Sequence, residues 1–293
     1  MKKAIIIALF VCLACPGTFA QQSIYVSADG NDYNDGLSEK TPIKTFNFAL
    51  FIMALRDIRT LTVIGTLDIN SQDVKAEDLW VFGIFGNVID SMFMNREDEI
   101  IITGKPDAVG PERAALSGRG AVNKVVVLVS SENAKIRFEH IDISGGAGER
   151  GVGLIVTDGS EVTLGPGAVV RNNTSVGISI GGNGGGACII DGGEVLGNGY
   201  GGVSVGANGM LYLQNGTIRE NTCVTGAGVM VGGGGIFSMK GGIISDNRAS
   251  VMGGGVAVNT GGRFDQTGGN ISGNIAPQRS NVSRADGTLG SNF

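Results

Sequence analysis

Apolar and polar residues alternate along this chain with a period of two, in short runs that glycines interrupt. Between Val152 and Ala276 one such pattern recurs five times, at intervals of 23 to 27 residues. Each copy reads apolar-x-apolar, glycines, a second apolar alternation, Gly-Gly, Ile/Val-x-x-Asn, and a closing glycine cluster. In the copy 203–228 the alternation places Val203, Val205, Leu211, Leu213 and Ile218 on one face, and Ser204 and Tyr212 on the other. The next copy repeats this with Val229, Val231, Phe237, Met239 and Ile244. A unit this short cannot bury its own apolar face and must stack on its neighbours. Three short strands per copy predict an all-β chain, a right-handed parallel β-helix with rungs about 4.8 Å apart.

The asparagines that fall in register are Asn172, Asn198, Asn221, Asn247 and Asn274, each five residues after a glycine (Gly167, Gly193, Gly216, Gly242, Gly269). Amides stacked at strand spacing can each donate to the next, so these five are expected to form a structural Asn ladder. Of the 51 glycines, 41 follow residue 144. They belong to turns rather than to phosphate cradles, since no Gly-x-x-x-x-Gly-Lys-Ser/Thr occurs.

Residues 1–20 read as a secretory signal: Lys2 and Lys3, an apolar core from Ala4 to Ala14, then Pro16-Gly17 before Thr18-Phe19-Ala20. Cleavage is expected after Ala20, delivering the chain to the periplasm, outer surface or exterior. Lipid anchoring at Cys15 is the alternative, disfavoured by Cys12 and Pro16 around it. No later stretch has the length and apolarity of a membrane helix. The expected division is signal peptide 1–20, N-terminal strand and capping helix 21–60, β-helix 61–276, and C-terminal cap or tail 277–293. Removing Lys2 and Lys3 leaves 20 basic against 27 acidic residues, a net charge of −7, which argues against a nucleic-acid partner. Cys188 and Cys223 remain, at positions that do not stack, so no disulfide is expected.

The segment Ile24-Tyr25-Val26-Ser27-Ala28-Asp29-Gly30-Asn31-Asp32, followed by Asn34-Asp35-Gly36 and Thr41-Pro42-Ile43-Lys44-Thr45-Phe46, resembles the N-terminal signature of secreted right-handed β-helix proteins of the pectate-lyase-like superfamily. The resemblance implies a first strand and an Asp/Gly/Asn turn before a short helix that plugs the open coil. Thr45 can cap a helix running to about Arg59, with Phe46, Leu50, Met53 and Leu55 available to cover the core. Strands are further expected at 61–64, 79–85, 99–103, 124–129, 136–138 and 141–143, with loop excursions at 86–98 and 105–119.

The resemblance admits a polysaccharide lyase or hydrolase, whose acidic residues would hold Ca²⁺ beside an Arg or Lys base. Glu220 and Asp246 each precede a ladder asparagine, so they should be outward neighbours in successive coils, with Arg219 and Arg248 nearby. These four are the candidate catalytic residues, and Glu220 and Asp246 the candidate Ca²⁺ ligands. The alternative reading is a solvated charge ladder. Asp29, Asp32 and Asp35 miss the spacing of a Ca²⁺ loop and read as turn residues; His140, the single histidine, reads as a corner residue. Outward positions run Ser179, Ser204, Met230, Ala257 on the first strands and Thr163, Ile189, Tyr212, Ser238, Asp265 on the second. The flat stripe centred on Ile189 and Tyr212 is the candidate ligand-binding surface.

Two functions therefore stand. The first is a non-catalytic rod at the cell envelope, with no cofactor, presenting its surface to a polysaccharide or protein. Its Gly-Gly-Gly-Val and Ile-x-x-Asn repeats look like the Gly-Gly-Ala-Ile and Phe-x-x-Asn repeats of polymorphic outer-membrane adhesins. The second is a small Ca²⁺-dependent polysaccharide lyase or hydrolase.

Overall fold

The computed structural model describes residues 23–69, 88–90, 99–119, 125–130, 132, 134–182 and 184–285. The expected leader with Cys15 and the expected strand 79–85 lie outside them. The chain is a parallel β-solenoid whose coils share three faces. The first face is an eight-stranded sheet that includes Leu154–Thr157, Ile178–Ile180, Val203–Val205, Val229–Val231 and Val256–Val258. The second runs from Ser23–Ser27 through Thr60–Ile64, Ile100–Thr103, Lys135–Glu139 and Glu161–Leu164 to Arg263–Gln266. The third begins Thr66–Asp68, Ala114–Ser117, Ile141–Ser144, Val169–Arg171. In two coils the second and third strands are continuous, Gly186–Leu196 and Gly209–Arg219, which joins those faces into one sheet.

Parallel register stacks like on like. Val162, Cys188, Leu211, Phe237 and Phe264 form one inward column, all buried. The Phe237 and Phe264 rings stack with centroids 4.8 Å apart. Each such side chain withdrawn from water stabilises the coil by roughly 1.5–3 kcal/mol. Cys188 and Cys223 are both free thiols, and burial pushes the Cys188 thiol up to about 12, which leaves it inert.

The amide ladder occupies the corner after the third face. Its members are Asn173, Asn198, Asn221, Asn247 and Asn274, all buried. Each Nδ2 donates to the next Oδ1 at 2.9–3.0 Å, from Asn173 through Asn198, Asn221 and Asn247 to Asn274. The next oxygen also accepts the backbone N–H of the residue below, as Asn247 does from Asn221 at 3.0 Å. Asn172 is not a member. Its copy carries an extra residue between Gly167 and the inward Val170, so counting five from the glycine stops one short. The constant spacing is three residues after the inward apolar side chain: Val170, Val195, Ile218, Ile244 and Ile271. Asn172 instead takes the left-handed turn just before the ladder, with φ 54°.

The ladder also accounts for the glycine that opens each first-face strand. A Cβ at Gly177, Gly202, Gly228 or Gly255 would lie 2.6–3.0 Å from a ladder Nδ2, that of Asn198, Asn221, Asn247 or Asn274 respectively. After the ladder the chain forms a further ridge, in which Thr222–Thr225 pairs in parallel with Arg248–Met252. Cys223 therefore lies in a strand rather than a turn.

Both ends depart from expectation in detail. The helix is Phe46–Arg56, shorter than expected, and buries Phe46, Ala49, Leu50 and Met53. Leu55, on the opposite side of the helical turn, is 64% exposed. Thr45 makes no capping bond through its side chain. Asp32 instead anchors the chain just ahead of the helix, its Oδ1 accepting the N–H groups of Lys44 and Thr45 at 3.0 and 2.8 Å. Asp35 accepts from Leu37 N–H and Thr41 Oγ1, bonds that hold its carboxyl below its usual range. Of the expected excursions, 86–98 contains the first-face strand Val88–Asp90, and 105–119 contains the third-face strand Ala114–Ser117. At the other end the repeat does not stop at 276. Val282–Arg284 pairs with Val256–Val258, and the Arg284 guanidinium lies 5.5 Å from the Phe264 ring centre.

Replacing Asn221 with Ala removes the acceptor of the Asn198 backbone N–H and one of the two acceptors of Asn198 Nδ2, and takes the side-chain donor from Asn247 Oδ1 and the Val195 carbonyl, so a loss of about 2–4 kcal/mol is expected. Asn172→Gly should change stability by less than about 0.5 kcal/mol. Urea unfolding midpoints of the two variants test the assignment, and equal losses would refute it.

Candidate functional site

Glu220 and Asp246 sit where the corner geometry demands a left-handed residue, with φ 58° and 57°. Asn172, Gly197 and Gly273 fill the same place in other coils. The two acids do belong to successive coils, since Arg219 pairs with Ser245. Their surroundings differ. Arg219 bonds to Glu220 and reaches Glu194 Oε2 at 3.2 Å. Partial burial opposes the charge of Arg219, but Glu194 and Glu220 outweigh it and raise its pKa. Asp246 and Arg248 form no ion pair within 4.0 Å among the described residues. Arg248 instead opens the ridge strand Arg248–Met252. Of the four residues, Arg219 and Glu220 are ion-paired with each other. Among the described residues no group of three or more His, Cys, Asp or Glu is arranged to hold a metal ion.

His140 is a left-handed corner residue, φ 48°, its imidazole beside the bare backbone of Gly167. Next to it is a feature the sequence reading passed over. Asp142 points outward from the third face yet is only 2% exposed. Its Oδ1 accepts from Arg113 Nε at 2.6 Å and its Oδ2 from Arg171 Nη2 at 2.5 Å. Arg113 also donates to the Gly167 carbonyl. Both carboxylate oxygens are committed, so this triad ties the loop before Ala114–Ser117 to the third face.

The outward second face is where residues of different coils come together. Arg137, Thr163, Ile189, Tyr212, Ser238 and Asp265 form one row in register. Ile189 and Tyr212 are adjacent and half-buried. The Tyr212 hydroxyl donates to Met210 Sδ at 3.3 Å, two residues back on the same face. Side chains normally stand off a sheet, so that contact means Tyr212 and Met210 lean toward each other along the strand.

At the edge of this row lies a second group missed from sequence. Arg137 Nε donates to Glu139 Oε1 at 2.5 Å. Glu139, Gly165 and Asp191 follow Phe138, Leu164 and Ile190, which stack in register, so they occupy three successive rungs. A Cβ on Gly165 would lie 2.8 Å from Arg137 Nη2 and 3.1 Å from Glu139 Cγ. The pair therefore rests on bare backbone. The bond to Glu139 raises the Arg137 pKa against partial burial, with Glu139, Glu99 and Asp191 adding charge attraction. Asp191 sits at a break in strand register, an irregularity that re-aims side chains.

No family model matches the chain, and no curated protein matches its sequence. Among solved structures it is similar to the GH136 lacto-N-biosidase from Eubacterium ramulus, at 10% identity and a TM-score of 0.29, over 88% of this chain and 68% of that chain.

A left-handed backbone costs a residue with a Cβ about 1 kcal/mol. Glu220→Gly and Asp246→Gly should therefore hold or raise the melting temperature, as expected for residues with a corner role. A drop of several degrees in either variant would show that the carboxylate itself stabilises the fold.

Proposed function

We propose that this chain is an exported, non-catalytic β-helix rod whose second face binds an extended polymer at the cell surface. The observation that carries this reading is the pairing of Ile189 with Tyr212, side by side and half-buried on adjacent rungs of the outward face. Together they give an uncharged platform one coil-step wide, continued by Ser238. The Tyr212 ring offers apolar surface to a partner while its hydroxyl stays satisfied by Met210, so binding strands no polar group. The solenoid backbone behind it is hydrogen-bonded from rung to rung and has no need to rearrange, which limits the entropic cost of association. Parallel rungs repeat about every 4.8 Å, so one linear ligand can touch several coils at once.

Size exclusion of the chain with neutral and acidic polysaccharides, each with Ca²⁺ present, tests this. Co-elution with a polymer of unchanged length, weakened by Tyr212→Ala, is the expected result. Shortening of any polymer would replace the binding reading with an enzymatic one.

A further inference from the structure

We infer that Arg137, Glu139 and Asp191 form a subsite for an uncharged, hydroxyl-bearing sugar unit of the polymer bound on the second face. The inference rests on the platform reading above and adds the class of ligand. Glu139 and Asp191 stand two rungs apart, roughly 9.6 Å by strand spacing, with Gly165 on the rung between them. Any side chain at position 165 would displace the Arg137 guanidinium, which lies across that gap.

Charge decides what fits there. Arg137 is matched by Glu139 at 2.5 Å, and Asp191 has no ion pair within 4.0 Å among the described residues. The three together carry one negative charge, to which the nearby Glu99 adds, and this repels a uronate or sulfate. Carboxylates accept two hydrogen bonds side by side, and vicinal hydroxyls of a sugar ring present two donors in that arrangement. Glu139 uses Oε1 on Arg137, which leaves Oε2 for a ligand. The guanidinium, fixed through Nε, keeps N–H groups for a ring or glycosidic oxygen. Asp191 lies one rung over and two residues along from Tyr212, about 8 Å by strand geometry. One sugar can then lie on the ring while its neighbour meets the carboxylates.

Calorimetric titration of the full chain decides the matter, with cello-, manno- and fully N-acetylated chito-oligosaccharides as neutral probes and oligogalacturonate as the acidic one. Binding of a neutral probe, weakened tenfold or more by Asp191→Asn and by Tyr212→Ala, supports both platform and subsite. Asp191→Asn is isosteric at a half-exposed position, and Gly165→Ala gives an independent route by moving Arg137; melting curves confirm that each variant folds. Weakening by Tyr212→Ala alone overturns the subsite and leaves the platform. Weakening by Asp191→Asn and Gly165→Ala alone keeps the subsite and removes the platform. Preference for oligogalacturonate, or no binding by any neutral probe, overturns the inference.

Discussion

A buried asparagine side chain has two N–H hydrogens to place and an oxygen to satisfy, and inside this corner only the coils above and below can do it. Asn221 shows the full arrangement. Its Nδ2 reaches Asn247 Oδ1, Val195 O and Arg219 O, and its Oδ1 accepts both N–H groups offered by Asn198. A slip of one residue at the corner would leave these groups unpaired in a dry interior, at about 1–3 kcal/mol each. The ladder therefore fixes coil register, and with it every inward column. It also dictates the left-handed residue before each amide and the glycine opposite it. Glu220 and Asp246 occupy that left-handed place.

With register fixed at the corner, the outer faces are free to vary. The third face uses that freedom for ion pairs, of which the buried Asp142 triad is the most committed. Removing one partner there would bury an unmatched charge, whereas the exposed Arg263–Asp265 pair at 2.6 Å contributes little. The second face carries fewer charges around Ile189 and Tyr212, and groups them at its border in Arg137, Glu139 and Asp191. The ends are closed by different means. At the N-terminus Gly36 and Ile43 carbonyls accept the N–H groups of Tyr25 and Ser27, while the helix covers the core. At the C-terminus Arg284 lies over Phe264 and donates to its carbonyl at 3.1 Å.

The period-two alternation made the faces and the inward columns readable, because strand geometry maps sequence parity directly onto side-chain direction. The ladder was readable in four of its five members. Glycine spacing points to Asn172 rather than Asn173 because Ala168 lengthens that interval in one coil only. The inward residue is the better ruler, since it and the amide are joined by one rigid corner. Two segments judged as excursions contribute rungs, since Ala114-Ala115-Leu116 is too brief an alternation to stand out among charged neighbours. The Glu139–Gly165–Asp191 rungs carried a usable signal, being the positions after Phe138, Leu164 and Ile190. Asp142 carried none: its burial depends on Arg113 and Arg171, which arrive from other coils.

The ladder also has a direction. Every amide points its N–H toward the C-terminal end, so the stack is a row of aligned dipoles that strengthen one another. Its two termini need opposite chemistry, and have it. Gly146 N–H donates to Asn173 Oδ1 at the start, and Asn281 Oδ1 accepts from Asn274 at the finish. Neither terminus depends on how many amides stand between. Whole coils can thus be duplicated or deleted within the stack during evolution, with polarity intact, while the differing spacings of 25, 23, 26 and 27 residues between amides are absorbed in turns away from the corner. The rod is free to alter its length only in quanta.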